Sequence, residues 1–359
     1  MILKADYQKY ILHFKFNAGT SRGILTQKDT FFIKIWDKAK PKLYGIGECS
    51  VLKGLSIDDR EDYESYLAKV CATINNYYFT GDDTEILDTI IGNSYPSIQF
   101  GVEMALKDLQ NGGKRIVYTS AFTESTIGIP INGLIWMGEE DFMRKQIDEK
   151  LEQGYTCLKV KIGAIDFAKE CALLAYIRKN YSQEQITLRV DANGAFFAND
   201  ALEKLEILSR FGLHSIEQPI KQGQRKKLRE LCIQTPLPIA LDEELIGIMD
   251  SKAKKLLLEE IKPQFIILKP SLLGGFRQSL EWIKLCEQLE IGWWITSALE
   301  SNIGLNAISQ FTATLQNSLP QGLGTGQLYT NNINSPLDIA EGKLYYDNSK
   351  TWDTHELFE

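Results

Sequence analysis

The chain has 359 residues, of which 44% are hydrophobic and 24% charged, and its formal net charge is −7. This length accommodates a barrel of roughly 200–250 residues together with a smaller domain. The acidic balance and the lack of a Lys/Arg-rich tract argue against a nucleic-acid partner, and the lack of a long apolar run argues against a membrane span.

Cysteine and histidine content narrows the possible chemistry. The six cysteines are scattered without a CxxC pair, so we expect reduced, mostly buried thiols rather than a zinc site or a disulfide framework. Three histidines are too few for a multi-His metal site and make a His-based triad improbable. The N-terminus has no apolar segment before a small-residue cleavage site, so we expect no secretory signal and a cytoplasmic protein.

The first 125 residues predict an α+β domain. Alternating apolar residues predict a strand at Thr30–Trp36 and another in the LYGIGECS run, after which helical periodicity dominates. Strands followed by helices in segregated order are typical of α+β domains. The glycine- and threonine-rich segment 17–30 is expected to be a mobile lid, and residues 53–56 a second edge of a pocket.

From Ile129 the pattern changes to short apolar strands separated by helical stretches, which predicts a parallel sheet. The predicted strands end at residues 161, 191, 217, 242, 269 and 297, about one strand and one helix apart. With IPINGL and a last short strand near QGLGTG, this gives about eight strands and predicts a (β/α)8-type barrel, class α/β, over residues 126–330. A doubly wound sheet is the competing architecture, but no GxGxxG follows any strand. Residues 331–359 are expected to return and pack on the first domain.

Acidic residues end three successive predicted strands, and such ends converge on one face of a parallel barrel. They are Asp191, Glu217 and Asp242. Gathering three carboxylates is electrostatically costly, and a divalent cation offsets that cost. Oxygen ligands without a His or Cys cluster favour Mg²⁺, with Mn²⁺ as the alternative. Glu243 and Glu244 follow Asp242 directly, so the spacing alone leaves the third ligand open.

Lysines flank these acids on both sides. Lys159 and Lys161 are two apart in one strand and therefore face the same side, and Lys269 ends a later strand. A buried ammonium beside other cations has a lowered pKa, so one of the pair is a candidate base. A base and a metal that holds a substrate carboxylate predict proton removal α to that carboxylate, with the enediolate stabilised by the metal. The alternative is that the lysines only balance the carboxylates.

These residues lie in motifs that resemble the enolase superfamily, in the order of its muconate-lactonising subgroup. The motifs are KVK at 159–161, DANGA at 191–195, EQP at 217–219, LDE at 241–243 and LKPSLLGG at 268–275. The resemblance spans essentially the whole chain and implies an enolase-like barrel with an N-terminal α+β capping domain. The stretches YGIGECSVL, PINGLIW, TSALESNIGLNAISQF and QGLGTGQLYTNNI resemble, within that subgroup, the o-succinylbenzoate synthases of menaquinone biosynthesis.

The resemblance implies a Mg²⁺-dependent hydro-lyase that converts 2-succinyl-6-hydroxy-2,4-cyclohexadiene-1-carboxylate to o-succinylbenzoate. The implied metal ligands are Asp191, Glu217 and Asp242. Lys161 would be the general base and then the acid of a syn elimination, Lys269 would stabilise the enediolate, and Lys159 would assist Lys161. The alternatives are an N-succinylamino acid racemase, dipeptide epimerase or cycloisomerase, which also use opposed lysines, and, from another class, a non-catalytic barrel binding protein.

Candidate substrate contacts follow the strands. The SALESNIG stretch contributes Ser297, Ser301 and Asn302, whose helix N-terminal N–H groups suit a succinyl carboxylate, although an ordinary helix N-cap is the alternative. Asn193 lies in DANGA, and Arg189 faces the same side as Asp191, as a substrate contact or a structural arginine. GLGTG lacks the Lys-Ser/Thr of a P-loop and is expected to close the pocket. The expected partner is a small carboxylate substrate, and the sequence does not specify an oligomeric state.

Overall fold

The N-terminal part of the chain forms an antiparallel sheet covered by helices. The computed structural model describes residues 1–20, 23–355 and 357–358. The strands, in their hydrogen-bonded order, are β1 (Leu3–Thr20), β2 (Gly23–Asp37) and β3 (Tyr44–Cys49). The helices are α1 (Tyr63–Ile74), a π-helical turn at Ile86–Ile91, and α2 (Pro96–Gln110). This is the expected α+β domain.

Strand β1 contributes to two apolar clusters because its two halves bury opposite faces. Leu3 and Ala5 pack with the helices of the N-terminal domain, whereas Leu12 and Phe14 pack in a cluster with Trp136 of the barrel. No single face of β1 is apolar along its whole length. The alternation of apolar residues shifts from odd to even positions between Ala5 and Leu12, and β1 was not predicted.

The expected lid, residues 17–30, belongs to the hairpin formed by β1 and β2 rather than to an irregular loop. Two of its residues, Ser21 and Arg22, lie outside the described residues. Gly19 forms a β-bridge with Met137, and a Cβ at position 19 would lie 2.9 Å from the carbonyl oxygen of Met137. The hairpin end is thus held against the barrel.

Two glycines allow β3 to pack directly on the backbone of α2. A Cβ on Gly47 would lie 1.8 Å from the carbonyl oxygen of Gly101, and one on Gly45 would lie 1.9 Å from that of Ala105. Any side chain at these positions would force the two elements apart. The YGIGEC motif therefore has a packing role in the N-terminal domain.

A parallel barrel follows the short strand β4 (Ile129–Pro130). Within the described residues, its sheet contains the strands β5 (Gly133–Ile135), β6 (Cys157–Lys161), β7 (Thr187–Asp191), β8 (Ser215–Glu217), β9 (Ile239–Leu241), β10 (Phe265–Leu268) and β11 (Gly292–Ile295), paired in that order. The helices are α3 (Glu140–Glu152), α4 (Phe167–Asn180), α5 (Ala201–Ser209), α6 (Arg225–Gln234), α7 (Ser251–Ile261), α8 (Pro270–Leu273), α9 (Gly275–Gln288) and α10 (Asn302–Ala313). Outward-facing strand residues and helix residues share the largest apolar cluster.

The eighth strand position is filled by single bridges instead of a regular strand. Gln321 bridges Ile131 and Gly322 bridges Thr296, both in the parallel sense. Glycine weakens strand formation, which explains why the GLGTG run does not extend these contacts. The architecture is the expected (β/α)8-type barrel.

The C-terminal segment returns to both parts of the molecule. Its strands β12 (Leu337–Ala340) and β13 (Lys343–Tyr346) form a hairpin, and β13 pairs with β4. The Asn331 side chain bonds to the backbone of β1, and Phe358 N donates to Gln8 Oε1. These residues thus contact β1 and β4, and the division of the chain at residues 125 and 330, with the return as a separate segment, stays a prediction.

All six cysteines are free thiols, and five of them are buried. Across residues 1–20, 23–355 and 357–358, no helix combines the length and apolar character needed to cross a membrane.

Candidate active site

The parallel register of the barrel brings the predicted lysines and acids to one end. Lys161 pairs with Asp191 across β6 and β7, and Asp191 pairs with Glu217 across β7 and β8. Asp242 directly follows β9, the next strand. The three carboxylate side chains are all buried, with at most 2% of their surface exposed. Asp191, Glu217 and Asp242 are therefore neighbours, as the strand-end spacing predicts.

Two lysine ammonium groups lie between the three carboxylates. Lys159 Nζ is 2.8 Å from Asp191 Oδ2 and also forms an ion pair with Glu217. Lys269 forms an ion pair with Asp242, and its Nζ lies 3.9 Å from Glu217 Oε1. Three buried carboxyl groups thus face two ammonium groups that bridge them pairwise.

The pKa directions follow from this charge arrangement. Burial by itself lowers the pKa of Lys159, but the charges of Asp191, Glu217 and Asp242 outweigh burial and raise it above its usual value. Burial likewise raises the pKa of Asp191, but the lysines, Lys159 first, hold it below its usual range. Burial and the charge of Asp191 together raise the pKa of Glu217. The pKa of Lys159 is therefore raised, and the prediction that Lys161 is the base of the pair stays a prediction.

Lys161 has a different set of contacts from Lys159. Its Nζ lies 2.8 Å from Asn193 Oδ1 and 3.5 Å from Asp191 Oδ2. The Nδ2 of Asn193 donates to Glu243 Oε1 at 3.1 Å, and the Asn193 backbone N–H donates to Asp191 Oδ1 at 3.0 Å. Asn193 therefore orients Lys161 through its side chain and Asp191 through its backbone.

Gln218 is a structural member of the site that the sequence did not single out. It is fully buried with φ 38°, and its Oε1 accepts from the backbone N–H groups of Asp242 and Glu244 at 3.2 and 3.3 Å. Its Nε2 donates to the carbonyl oxygen of Ile220. Gln218 thus holds the end of β9 against the end of β8. Its position directly after Glu217, in the EQP motif, is the signal that marks it.

A cavity of 580 Å³ opens above these groups. Its polar lining includes Lys159, Lys161, Lys269, Asp191 and Asn193. The lysines of β6 and the lysine after β10 face this space from different sides of the barrel. A substrate bound here would have an amino group on each side of it.

A family model described as "Enolase C-terminal domain-like" matches residues 142–349, which is more than half of the chain. The chain belongs to the enolase superfamily.

Among its relatives, the o-succinylbenzoate synthase of Desulfotalea psychrophila is 46% identical, with 95% of this chain and 98% of that protein aligned. The crystal structure of MenC from the same organism superposes with a TM-score of 0.87 at 44% identity, covering 96% of this chain and 100% of that one. A dipeptide epimerase from Enterococcus faecalis, crystallised with Mg and the dipeptide L-Leu-L-Tyr, covers 98% of each chain with a TM-score of 0.84. At 19% identity, that likeness shows the enolase-superfamily fold alone.

The N-terminal domain completes the cavity of this enolase-superfamily chain. Phe16 and Leu25, from the β1–β2 hairpin, contribute apolar wall, and Lys53, Gly54 and Leu55 contribute a second edge. The structure therefore places most of the predicted pocket edge, residues 53–56, at the cavity. Because the hairpin and this edge enclose the barrel end, the domain forms a cap over Lys159, Lys161 and Lys269.

The predicted substrate contacts divide into two groups. Ser297 and Asn193 line the cavity, whereas Arg189, Ser301 and Asn302 do not. The Arg189 guanidinium donates to the carbonyl oxygen of Pro320 at 2.7 Å and lies 4.0 Å from the ring centre of Trp294.

Ser301 and Asn302 belong to the start of α10 instead. Ser301 is fully buried and caps this helix, its Oγ accepting from Ile303 N at 3.1 Å. The Asn302 side chain donates to the carbonyl oxygen of Ile333. Of the two alternatives for Ser301, the structure favours the helix cap.

Proposed function

We propose that this chain is an o-succinylbenzoate synthase that dehydrates 2-succinyl-6-hydroxy-2,4-cyclohexadiene-1-carboxylate, as in menaquinone biosynthesis. The observation that carries the proposal is one cavity with Lys161 on one side and Lys269 on another, next to three buried carboxylates. It occurs in a chain 46% identical, over nearly its whole length, to a protein with that name. A cytoplasmic location is part of the proposal.

The carboxylate cluster suits a hard divalent cation such as Mg²⁺, with Mn²⁺ as the alternative. Glu217 Oε2 is ion-paired with Lys159 and Oε1 lies 3.9 Å from Lys269 Nζ, and neither oxygen accepts a hydrogen bond from another described residue, so a cation could take the place of these ammonium groups. In the described part of the chain, no acidic, His or Cys residues converge as a finished metal site. Binding at Asp191, Glu217 and Asp242 therefore requires the ammonium groups of Lys159 and Lys269 to move aside. When bound, the cation would supply positive charge to the enediolate oxygens.

The chain's own residues then perform the proton transfers. Lys161 Nζ removes the proton α to the substrate carboxylate, and the enediolate forms beside Lys269, whose ammonium group stabilises the negative charge. Lys161 returns the proton to the departing hydroxyl, so that one C–H and one C–O bond break and water leaves. The ring becomes aromatic. Asn193 keeps Lys161 directed into the cavity through its 2.8 Å contact.

The proposal is tested by incubating the purified chain with the cyclohexadiene substrate and Mg²⁺ while following loss of the diene absorbance. We expect turnover that stops with EDTA, and a fall in kcat by a factor of about 10³ or more in Lys161→Ala, the size expected for loss of a general base. Circular dichroism of the variant checks that it is folded.

Absence of turnover by the wild-type chain would contradict the synthase proposal. Exchange of the α-proton of N-succinylamino acids or dipeptides in D₂O would then assign the same lysines to a racemase or an epimerase. A chain that binds Mg²⁺ but supports neither reaction would be a binding protein.

A further inference from the structure

The cavity wall contains a residue in an unfavourable backbone conformation. Leu299 lines the cavity with φ 62°, in the left-handed region that residues with a Cβ rarely adopt. Such conformations cluster at functional sites and persist only where the surroundings fix them. Tyr329 Oη donates to the carbonyl oxygen of Leu299 at 2.7 Å, and Glu300 Oε2 accepts from Ala298 N at 2.6 Å. The backbone is therefore held on the N-terminal side of Leu299 and at its carbonyl.

On the C-terminal side, the backbone is held by Glu48, which lies on β3 of the capping domain. Its Oε1 accepts from Ser301 N at 2.9 Å, and its Oε2 accepts from Ser301 Oγ at 2.6 Å and from Gly304 N at 2.9 Å. Thr30 Oγ1, on β2, donates to Oε1 at 2.9 Å. One fully buried carboxylate thus receives four hydrogen bonds, three of them from the start of α10. A negative charge at a helix N-terminus is electrostatically favourable.

Gly304 provides the space for this contact. A Cβ at position 304 would lie 2.8 Å from Glu48 Oε2 and 2.8 Å from side-chain atoms of Glu300. In the SNIG sequence at the start of α10, the serine and the glycine therefore leave room for the Glu48 carboxylate of the capping domain and donate hydrogen bonds to it.

A second carboxylate of the capping domain makes a comparable contact away from the cavity. Glu103, on α2, accepts from Phe276 N at 2.7 Å and from Arg277 N at 3.3 Å at the start of α9. Gly275, where a Cβ would lie 2.3 Å from Glu103 Oε2, gives it room. The start of α9 does not line the cavity. Glu103 is therefore the matched comparison for a contact that only joins the domains.

We propose that Glu48 is a positioning residue of the active site. By holding Ser301 and Gly304 it fixes the left-handed turn at Leu299, so the wall formed by residues 297–299 takes its binding shape only when β3 is docked on α10. The inference rests on the proposed function for its substrate but not for its geometry. Glu48 touches neither the lysines nor the carboxylates of the barrel, so its effect is on substrate binding.

The test compares Glu48→Gln with Glu103→Gln. The two amides are close to isosteric with the acids, but a glutamine at 48 turns its NH₂ toward a backbone N–H in either orientation and loses an acceptor. We expect Glu48→Gln to raise KM for the cyclohexadiene about tenfold or more with kcat within about threefold, the pattern of lost uniform binding. Glu103→Gln should leave KM within about twofold.

Amide hydrogen exchange provides a readout that needs no substrate. Peptides covering 296–305 should lose protection in Glu48→Gln and keep it in Glu103→Gln, while peptides covering 275–280 should show the reverse. If the wild-type chain did not turn over the diene, the synthase proposal would fail, and this exchange comparison would still decide whether Glu48 fixes the wall.

Ser301→Ala removes one of the four hydrogen bonds and serves if Glu48→Gln does not fold. We expect its KM to rise about twofold to fivefold. Equal changes in KM and in exchange for the Glu48 and Glu103 variants would overturn the inference, as would unchanged KM in both Glu48→Gln and Ser301→Ala. Glu48 would then only join the domains.

Discussion

At the scale of single residues, Asn193 is the side chain that links the candidate base to the far side of the site. It contacts Lys161 at 2.8 Å and Glu243 at 3.1 Å, so it spans from β6 to the turn after β9. Its φ of 44° lies in the left-handed region, which asparagine tolerates better than most residues. Asparagine at position 193 therefore both tolerates the left-handed backbone and supplies the amide that contacts Lys161 and Glu243.

Replacing Asn193 with glycine separates these two requirements. Glycine keeps the left-handed backbone but removes the amide that orients Lys161. We expect kcat to fall by a factor of about 10 to 100, because misplacing a reacting group by about 1 Å has effects of that size. Steady-state rates at saturating Mg²⁺ measure it, and unchanged kcat would mean that Lys161 is positioned by Asp191 alone.

Some residues of the site could be predicted from the sequence, whereas some of their contacts could not. Lys161, Asp191 and Glu217 could be predicted as neighbours because residues at the ends of adjacent parallel strands lie side by side. Arg189 shares a face with Asp191, but facing the same side does not determine how deep in the barrel its guanidinium ends, and it reaches Pro320. The partner of Ser301 was not predictable, because Glu48 lies on another domain 253 residues away.

At the scale of elements, helix N-termini of the barrel are capped by acids from the capping domain. Glu103 is fully buried at the start of α9, and burial, its largest influence, raises its pKa to about 7 from a usual value of 4.5. The folded state therefore binds a proton at Glu103 that the unfolded chain releases at lower pH. The favourable contribution of the protonated form is fully present below about pH 4.5 and is lost as the pH rises through about 7.

We expect the unfolding midpoint of the wild-type chain to fall between pH 5 and pH 8 by more than that of Glu103→Gln, which cannot release this proton. Thermal unfolding followed by circular dichroism across this range measures the difference. Asp58 and Asp108, whose burial raises each pKa to about 6, contribute with the same sign and remain in the variant, so the slope is reduced rather than abolished. Parallel curves for the two proteins would refute the assignment to Glu103.

The regular barrel elements could be predicted from sequence, whereas β1 could not. Strands such as β6 and β7 are short segments rich in apolar residues that end in a charged residue, and their even spacing predicts the βα repeat. Strand β1 escapes prediction because Leu3 and Leu12 serve different clusters on opposite faces. The position of the eighth strand near QGLGTG was predicted, but single bridges at Gln321 and Gly322 occupy it instead of a regular strand.

At the scale of the whole molecule, the buried charges of the barrel are arranged so that folding does not depend on a metal. Lys159 and Lys269 pair with all three carboxylates, and leaving buried carboxylates unpaired would be strongly unfavourable. The ammonium groups and a divalent cation are therefore alternative counter-ions for one cluster. With this arrangement, the chain can fold without the cation, although its activity requires the cation.

Metal removal should accordingly stop turnover and leave a folded protein. We expect Mg²⁺ at 100 times its Kd to raise the free energy of unfolding by only about 2.7 kcal/mol, the amount that mass action gives for one site. Thermal unfolding with EDTA, and with EDTA saturated by Mg²⁺ as the control, measures this difference. Lys159→Met should instead make the folded state strongly dependent on Mg²⁺, since it loses about 3–5 kcal/mol when a buried carboxylate is left without its partner. If EDTA alone unfolded the wild-type chain, the lysines would not be sufficient counter-ions, and the cation would be structural as well as catalytic.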